Sequence, residues 1–233
     1  MSFGTNLKEL AYLILIFIAV VFIWDTELVY PLKMLTVFFH EISHGLAAVI
    51  TGGLIKEIEL DPREGGLCRV LGGWQFVILP AGYLGSMTWG GIILIGAART
   101  NLDRQIMRLL GTILIIVSLL YVRPFLSFAF GFGIVTAAGM LTLASFAPKK
   151  INDFTLKLIG LTSCLYAVLD VKSDILDRYV PNSDASRFAE EFGGTSYMWG
   201  IVWILIAIVS SVYFMIVATR KTKTGEELKA EGK

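Results

Sequence analysis

The chain has 233 residues, 55% of them hydrophobic and 17% charged, with a formal net charge of +1. Its mean hydropathy of +0.71 excludes an ordinary soluble domain, and the near-zero charge offers no argument for nucleic acid as a partner. Two distant cysteines, Cys68 and Cys164, make neither a disulfide framework nor a zinc knuckle and read as packing residues.

Residues 1–8 are a short polar start. Leu10 to about Trp24 is the first apolar run, and no small-x-small cleavage site follows it, so a retained first crossing is expected. The second run begins near Pro31, whose fixed φ suits a helix start, and continues to about Ile50. Next, Leu54 to Leu60 interleaves β-branched and charged residues. Asp61-Pro62-Arg63-Glu64-Gly65-Gly66 is dense in turn formers, and Leu67 to Leu71 returns. That pattern predicts a β-hairpin lying at the membrane face beside the second helix.

Further crossings are expected over about 76–97, 107–121, 125–147, 154–176 and 198–218, each close to the ~20 apolar residues a bilayer requires. The third holds Ala81-Gly82-Tyr83-Leu84-Gly85-Ser86, small residues that let helix backbones approach. Asp170, Asp174 and Asp177 share a face at the end of the sixth. Ser183 or Asp184 can cap a short helix over 185–192, and Trp199 and Trp203 anchor the entry of the last crossing. The fold expected is an all-α polytopic membrane protein of about seven transmembrane helices, with a small β-hairpin after the second. Residues 1–219 form one membrane-embedded domain, and 220–233 a charged, disordered tail. The clusters Arg99/Arg104/Arg108, Lys149/Lys150 and Arg220/Lys221/Lys223 then fall on one side, which predicts a cytoplasmic C-terminus.

Chemistry concentrates in the second run, at His40-Glu41-Ile42-Ser43-His44. These are the chain's only two histidines. Spaced four apart on a helix, both imidazoles reach one zinc ion, and the glutamate beside the first is placed to take a proton from water. A helical histidine is often no more than a packed core residue. Here, however, two histidines and a carboxylate lie within an apolar helix, where ionisable groups are costly and mark a site. Catalytic zinc usually has three protein ligands. With no third histidine, the remaining ligand is a carboxylate or, less favoured, a cysteine. Seven crossings put Asp170, Asp174, Asp177 and Asp184 on the same side as the end of the motif helix, and spacing alone does not choose among them.

The His40–His44 helix, Thr51-Gly52-Gly53, the strand pair around Leu60-Asp61-Pro62 and the Ala81-Gly82 segment together resemble the site-2 protease family of intramembrane zinc metalloproteases. The likeness is closest to its site-2-protease-like metallopeptidase branch, where Ser183-Asp184-Ala185 and Trp199/Trp203 also find counterparts. It covers roughly residues 35–205. The resemblance implies Zn2+ held by His40, His44 and Asp184, with Asp174 and Asp170 in reserve, and Glu41 as catalytic base. It further implies hydrolysis of a peptide bond in a membrane-spanning protein or peptide substrate within the lipid bilayer. Two other readings remain open at this stage: an inactive protease-like scaffold or chaperone, and a metal-handling transporter. Neither gives the glutamate of the motif a task.

Overall fold

The computed structural model describes residues 5–173 and 183–220. These form eight helices and one two-stranded sheet: α1 (Leu7–Phe22), α2 (Tyr30–Ile50), β1 (Leu54–Asp61), β2 (Gly65–Leu71), α3 (Gln75–Arg99), α4 (Asp103–Tyr121), α5 (Phe128–Phe146), α6 (Lys149–Lys172), α7 (Asp184–Phe192) and α8 (Ser196–Thr219). Asp174, Asp177 and the tail past Arg220 lie outside the described residues.

Five helices, α3, α4, α5, α6 and α8, are long and apolar enough to cross a membrane, as befits a multi-pass membrane protein. Seven were expected, and α1 and α2 are the two not among the five. At 16 residues α1 falls short of the ~20 needed. The 21-residue α2 is long enough, but Lys33, His40, Glu41 and His44 lower its hydropathy. Protein encloses it instead of lipid: every residue from Lys33 to Gly45 is buried.

Helix α3 is the hub, packed against α2, α6 and α8. Small residues set its distance from α6. A Cβ on Gly90 would lie 2.7 Å from the Gly160 carbonyl oxygen, and one on Gly160 would lie 2.8 Å from that of Gly90. Beside this crossing the Ser163 hydroxyl donates to the Ser86 carbonyl at 2.8 Å. Interhelical approach of this kind replaces the hydrophobic drive that lipid does not supply. Residues from four parts of the chain gather at one end of the bundle. The Asn6 amide donates to Thr219 (2.7 Å), Arg99 to Val217 (3.1 Å) and Arg104 to Ala147 (3.1 Å), while Lys149 donates to Asn101.

The hairpin forms antiparallel from Leu54↔Leu71 to Asp61↔Gly65, with an irregularity between Ile55 and Glu57. Its turn is closed by Asp61, which accepts the Arg63 backbone N–H at 2.8 Å. Side-chain and backbone hydrogen bonds from Arg63 hold the Asp61 carboxyl below the ordinary carboxylate range. The hairpin's expected place beside the second helix is what is found. The hairpin runs alongside α2: at its base Thr51 Oγ accepts the Trp74 N–H just beyond β2 (2.9 Å), and at its tip Tyr30 donates to the Pro62 carbonyl (2.8 Å). Lys33 pairs with Glu64 at 3.3 Å, and Tyr166 donates to the Glu64 carbonyl at 3.3 Å. Such polar tethers hold the strands against the helices. The outer edge of β1 is covered at Ile58, which bridges Val122 and accepts the Arg123 N–H. Residues of β2 line the cavity beside α2.

The α3–α6 crossing predicts a sharp contrast between two glycines. Gly160→Leu forces the backbones apart and is expected to cost about 1–3 kcal/mol or more, as overpacking does. Gly139→Leu, where a Cβ meets nothing within 4 Å, should leave stability unchanged. Thermal melting of the two variants in detergent checks this.

Candidate metal centre

His40 and His44 project from the middle of α2, one turn apart, with ring centroids 4.7 Å from each other. Asp184 arrives from the first turn of α7. Its Oδ2 lies 3.1 Å from His40 Nε2 and 3.0 Å from His44 Nε2. The three donor atoms all fall within 4.8 Å of one another. Tetrahedral ligands at zinc distances stand roughly 3.3–3.5 Å apart, so this triad already has nearly the required spacing. Two imidazole nitrogens and a carboxylate oxygen are also a donor set that catalytic zinc sites use, with a fourth position left for water. The residues fit the ion.

Three features orient these donors. His44 Nδ1 faces the Ile78 carbonyl at 2.7 Å; donation there fixes the tautomer and leaves the Nε2 lone pair toward Asp184. The Tyr83 ring meets His40 edge-on, centroids 4.9 Å apart. Gly82 of α3 provides the space: a Cβ there would overlap His40 Nε2 and lie 2.5 Å from His44 Nε2. The small-residue stretch expected only to pack helices thus also opens room for the site.

Helix α7 has nine residues and needs anchors to hold Asp184. Ser183 caps it, accepting the Ser186 N–H. Phe188, 2% exposed, is wedged among Phe76, Phe192, Trp199 and Trp203.

Glu41, 4% exposed, points to the other side, towards β2. A Cβ on Gly66 would lie 2.8 Å from its Cδ, so only glycine leaves the carboxylate its place. The Cys68 backbone amide is its hydrogen-bonding neighbour. The Cys68 sulfur is not in the donor cluster. Cysteine therefore drops out as the third ligand. Asp170 of α6 comes to His40 from the opposite ring nitrogen, its Oδ2 3.8 Å from Nδ1. His40, Glu41, His44 and Asp184 all line one cavity of about 390 Å³, within the range of small-ligand sites. Sequence reading missed Gly66, Gly82 and the Ile78 carbonyl; none carries a chemical signature on its own.

A helical membrane bundle that encloses an H-E-x-x-H helix and a converging aspartate has the architecture of a membrane-embedded metallopeptidase. A family model described as Peptidase M50B-like matches residues 13–214, and the chain belongs to that family, within the site-2 protease group. No curated protein and no solved structure matches the chain.

The geometry predicts that Gly82→Ala blocks the centre without unfolding the bundle. Metal content measured by atomic emission should fall at least about tenfold, the scale of an outer-shell lesion, with the metal-free melting temperature little changed.

Proposed function

We propose that the chain is an intramembrane zinc metalloprotease that hydrolyses a peptide bond in a membrane-spanning substrate. The observation that carries this reading is the convergence of Asp184 on both Nε2 atoms of an H-E-x-x-H helix, with Glu41 free of that cluster. His40, His44 and Asp184 hold the ion. Bound there, zinc would polarise the scissile carbonyl and acidify the attacking water. Glu41 takes the proton from that water and returns it to the leaving amine. Its enclosure beside Gly66 and β2 keeps it within reach of an incoming peptide rather than of bulk solvent.

A membrane helix is a poor substrate because its amides are internally bonded. An unwound segment can instead add to the hairpin as an extended strand. The available edge is that of β2, since Val122 and Arg123 cover β1 at Ile58. A strand added there runs past Glu41. The end of the bundle that gathers Arg99, Arg104 and Lys149 faces the cytoplasm, together with the C-terminus, in line with the positive-inside rule. A scaffold or transporter would not need a carboxylate beside its first ligand.

Glu41→Gln tests the assignment. Reconstituted with a quenched-fluorescent single-span peptide, the variant should keep wild-type zinc content and lose roughly 10²–10⁴-fold in cleavage rate, the range for a general base. Wild-type cleavage by that variant would remove Glu41 from its role. The chelator 1,10-phenanthroline should silence the wild-type protein.

A further inference from the structure

Each ring nitrogen of His40 faces a carboxylate, and the two carboxylates come from different helices. Nε2 faces Asp184 of α7 at 3.1 Å, and Nδ1 faces Asp170 of α6 at 3.8 Å. His44 differs, its Nδ1 being 2.7 Å from the Ile78 carbonyl of α3. A ligating imidazole is held in its tautomer by whatever accepts the N–H of its other nitrogen, and a carboxylate in that place also raises its basicity. His44 therefore has a neutral backbone acceptor, whereas the Nδ1 of His40 has an anionic carboxylate 3.8 Å away, just beyond hydrogen-bond distance.

The geometry points to Asp170 as the positioning residue of His40, an inference that rests on the metal reading of the site given above. Asp170 approaches the nitrogen that the ligand cluster does not use. It does not belong to the group of donors that lie within 4.8 Å of one another, whereas Asp184 does. An ion-pair distance of 3.8 Å is slightly longer than a hydrogen bond, and Asp170 is largely buried, its side chain 20% exposed. Its surroundings reinforce the arrangement. One turn earlier on α6, Tyr166 donates to the Glu64 carbonyl at the hairpin tip. Tyr83 confines the His40 ring from the α3 side. Helix α6 thereby connects the hairpin that flanks Glu41 with the imidazole beside it. Asp170 thus acquires a task distinct from metal ligation.

Cobalt substitution separates the two roles, because its visible absorption reports the ligand set and titration reports the affinity. Co2+ is titrated into metal-free wild-type protein and into Asp170→Ala, Asp170→Ser, Asp170→Asn and Asp184→Ala. Melting of the metal-free forms is followed alongside, and the serine variant serves as a second truncation should the alanine variant melt early. Truncation at 170 is expected to keep one equivalent and the wild-type band shape while weakening affinity about 10–100-fold. Asp170→Asn, whose amide oxygen still accepts the N–H, should recover part of that loss. Asp184→Ala should change the band shape itself. Wild-type affinity in both truncations would overturn the inference, and so would a band change at 170 like that at 184, which would make Asp170 a ligand. A wild-type chain that takes up no Co2+ removes the metal reading and this inference together. A wild-type chain that shows the expected 170 effect but cleaves nothing supports the inference and rejects only proteolysis.

Discussion

The convergence of one carboxylate on two imidazoles is the constraint to which the rest of this bundle answers. Asp184, His40 and His44 meet away from water, where an unpaired charge costs several kcal/mol. A divalent cation between them would satisfy all three at once. The surrounding packing follows from that need. Helix α2 is too polar to face lipid, so α3, α6 and the hairpin enclose it from Lys33 to Gly45. Close approach by α3 demands glycine at position 82, and close approach by β2 demands glycine at 66. Two residues without side chains thus define the volume in which the chemistry-bearing side chains lie.

A two-stranded hairpin has outer edges whose backbone groups need partners. Here the tip is tied to α2 through Tyr30 and Lys33 and to α6 through Tyr166, while β1 is tied to the chain after α4 through Arg123. That leaves β2 as the strand whose outer edge borders the cavity. Its Cys68 amide is already oriented at Glu41. Backbone donors and a carboxylate share one wall of a space of about 390 Å³.

How much of this was legible in the sequence depends on the range of the interaction. The motif was legible because its three residues share one helix, where spacing alone sets geometry. The hairpin was legible because Asp61 to Gly66 carries its own turn chemistry. Helix α6 was expected from about residue 154 and begins at Lys149, since its charged first turns are satisfied by neighbours: Lys157 pairs with Asp153 and with Glu9 of α1. The seven-crossing count failed to reappear because hydropathy assumes lipid as the surroundings, whereas α2 is surrounded by protein. Asp184 lies 140 residues beyond His44, and no periodicity relates them. It was preferred by resemblance rather than spacing, with Asp174 and Asp170 held in reserve. The structure separates Asp184 from Asp170 by which nitrogen of His40 each one meets. Asp174 and Asp177 lie outside the described residues, and the glycines beside the site were unreadable because their role is an absence of atoms opposite distant partners.

The position of Asp184 also says something about how the centre is assembled. A nine-residue helix is below the length at which helices persist alone in water, so α7 owes its order to what it docks against. That platform is aromatic, and much of it belongs to α8: Trp199 and Trp203 contact Phe188 at centroid distances of 4.6 and 5.4 Å. Trp203 also packs on Tyr83 at 5.6 Å, and Tyr83 meets the His40 ring at 4.9 Å. The last helix of the bundle therefore supports the third donor through Phe188 and the first through Tyr83. Both His40 and His44 are in place once α2 and α3 pack, but the triad closes only when α8 brings α7 against them. The His40–His44–Asp184 triad thus depends on α8, although among the described residues that helix supplies no member of it.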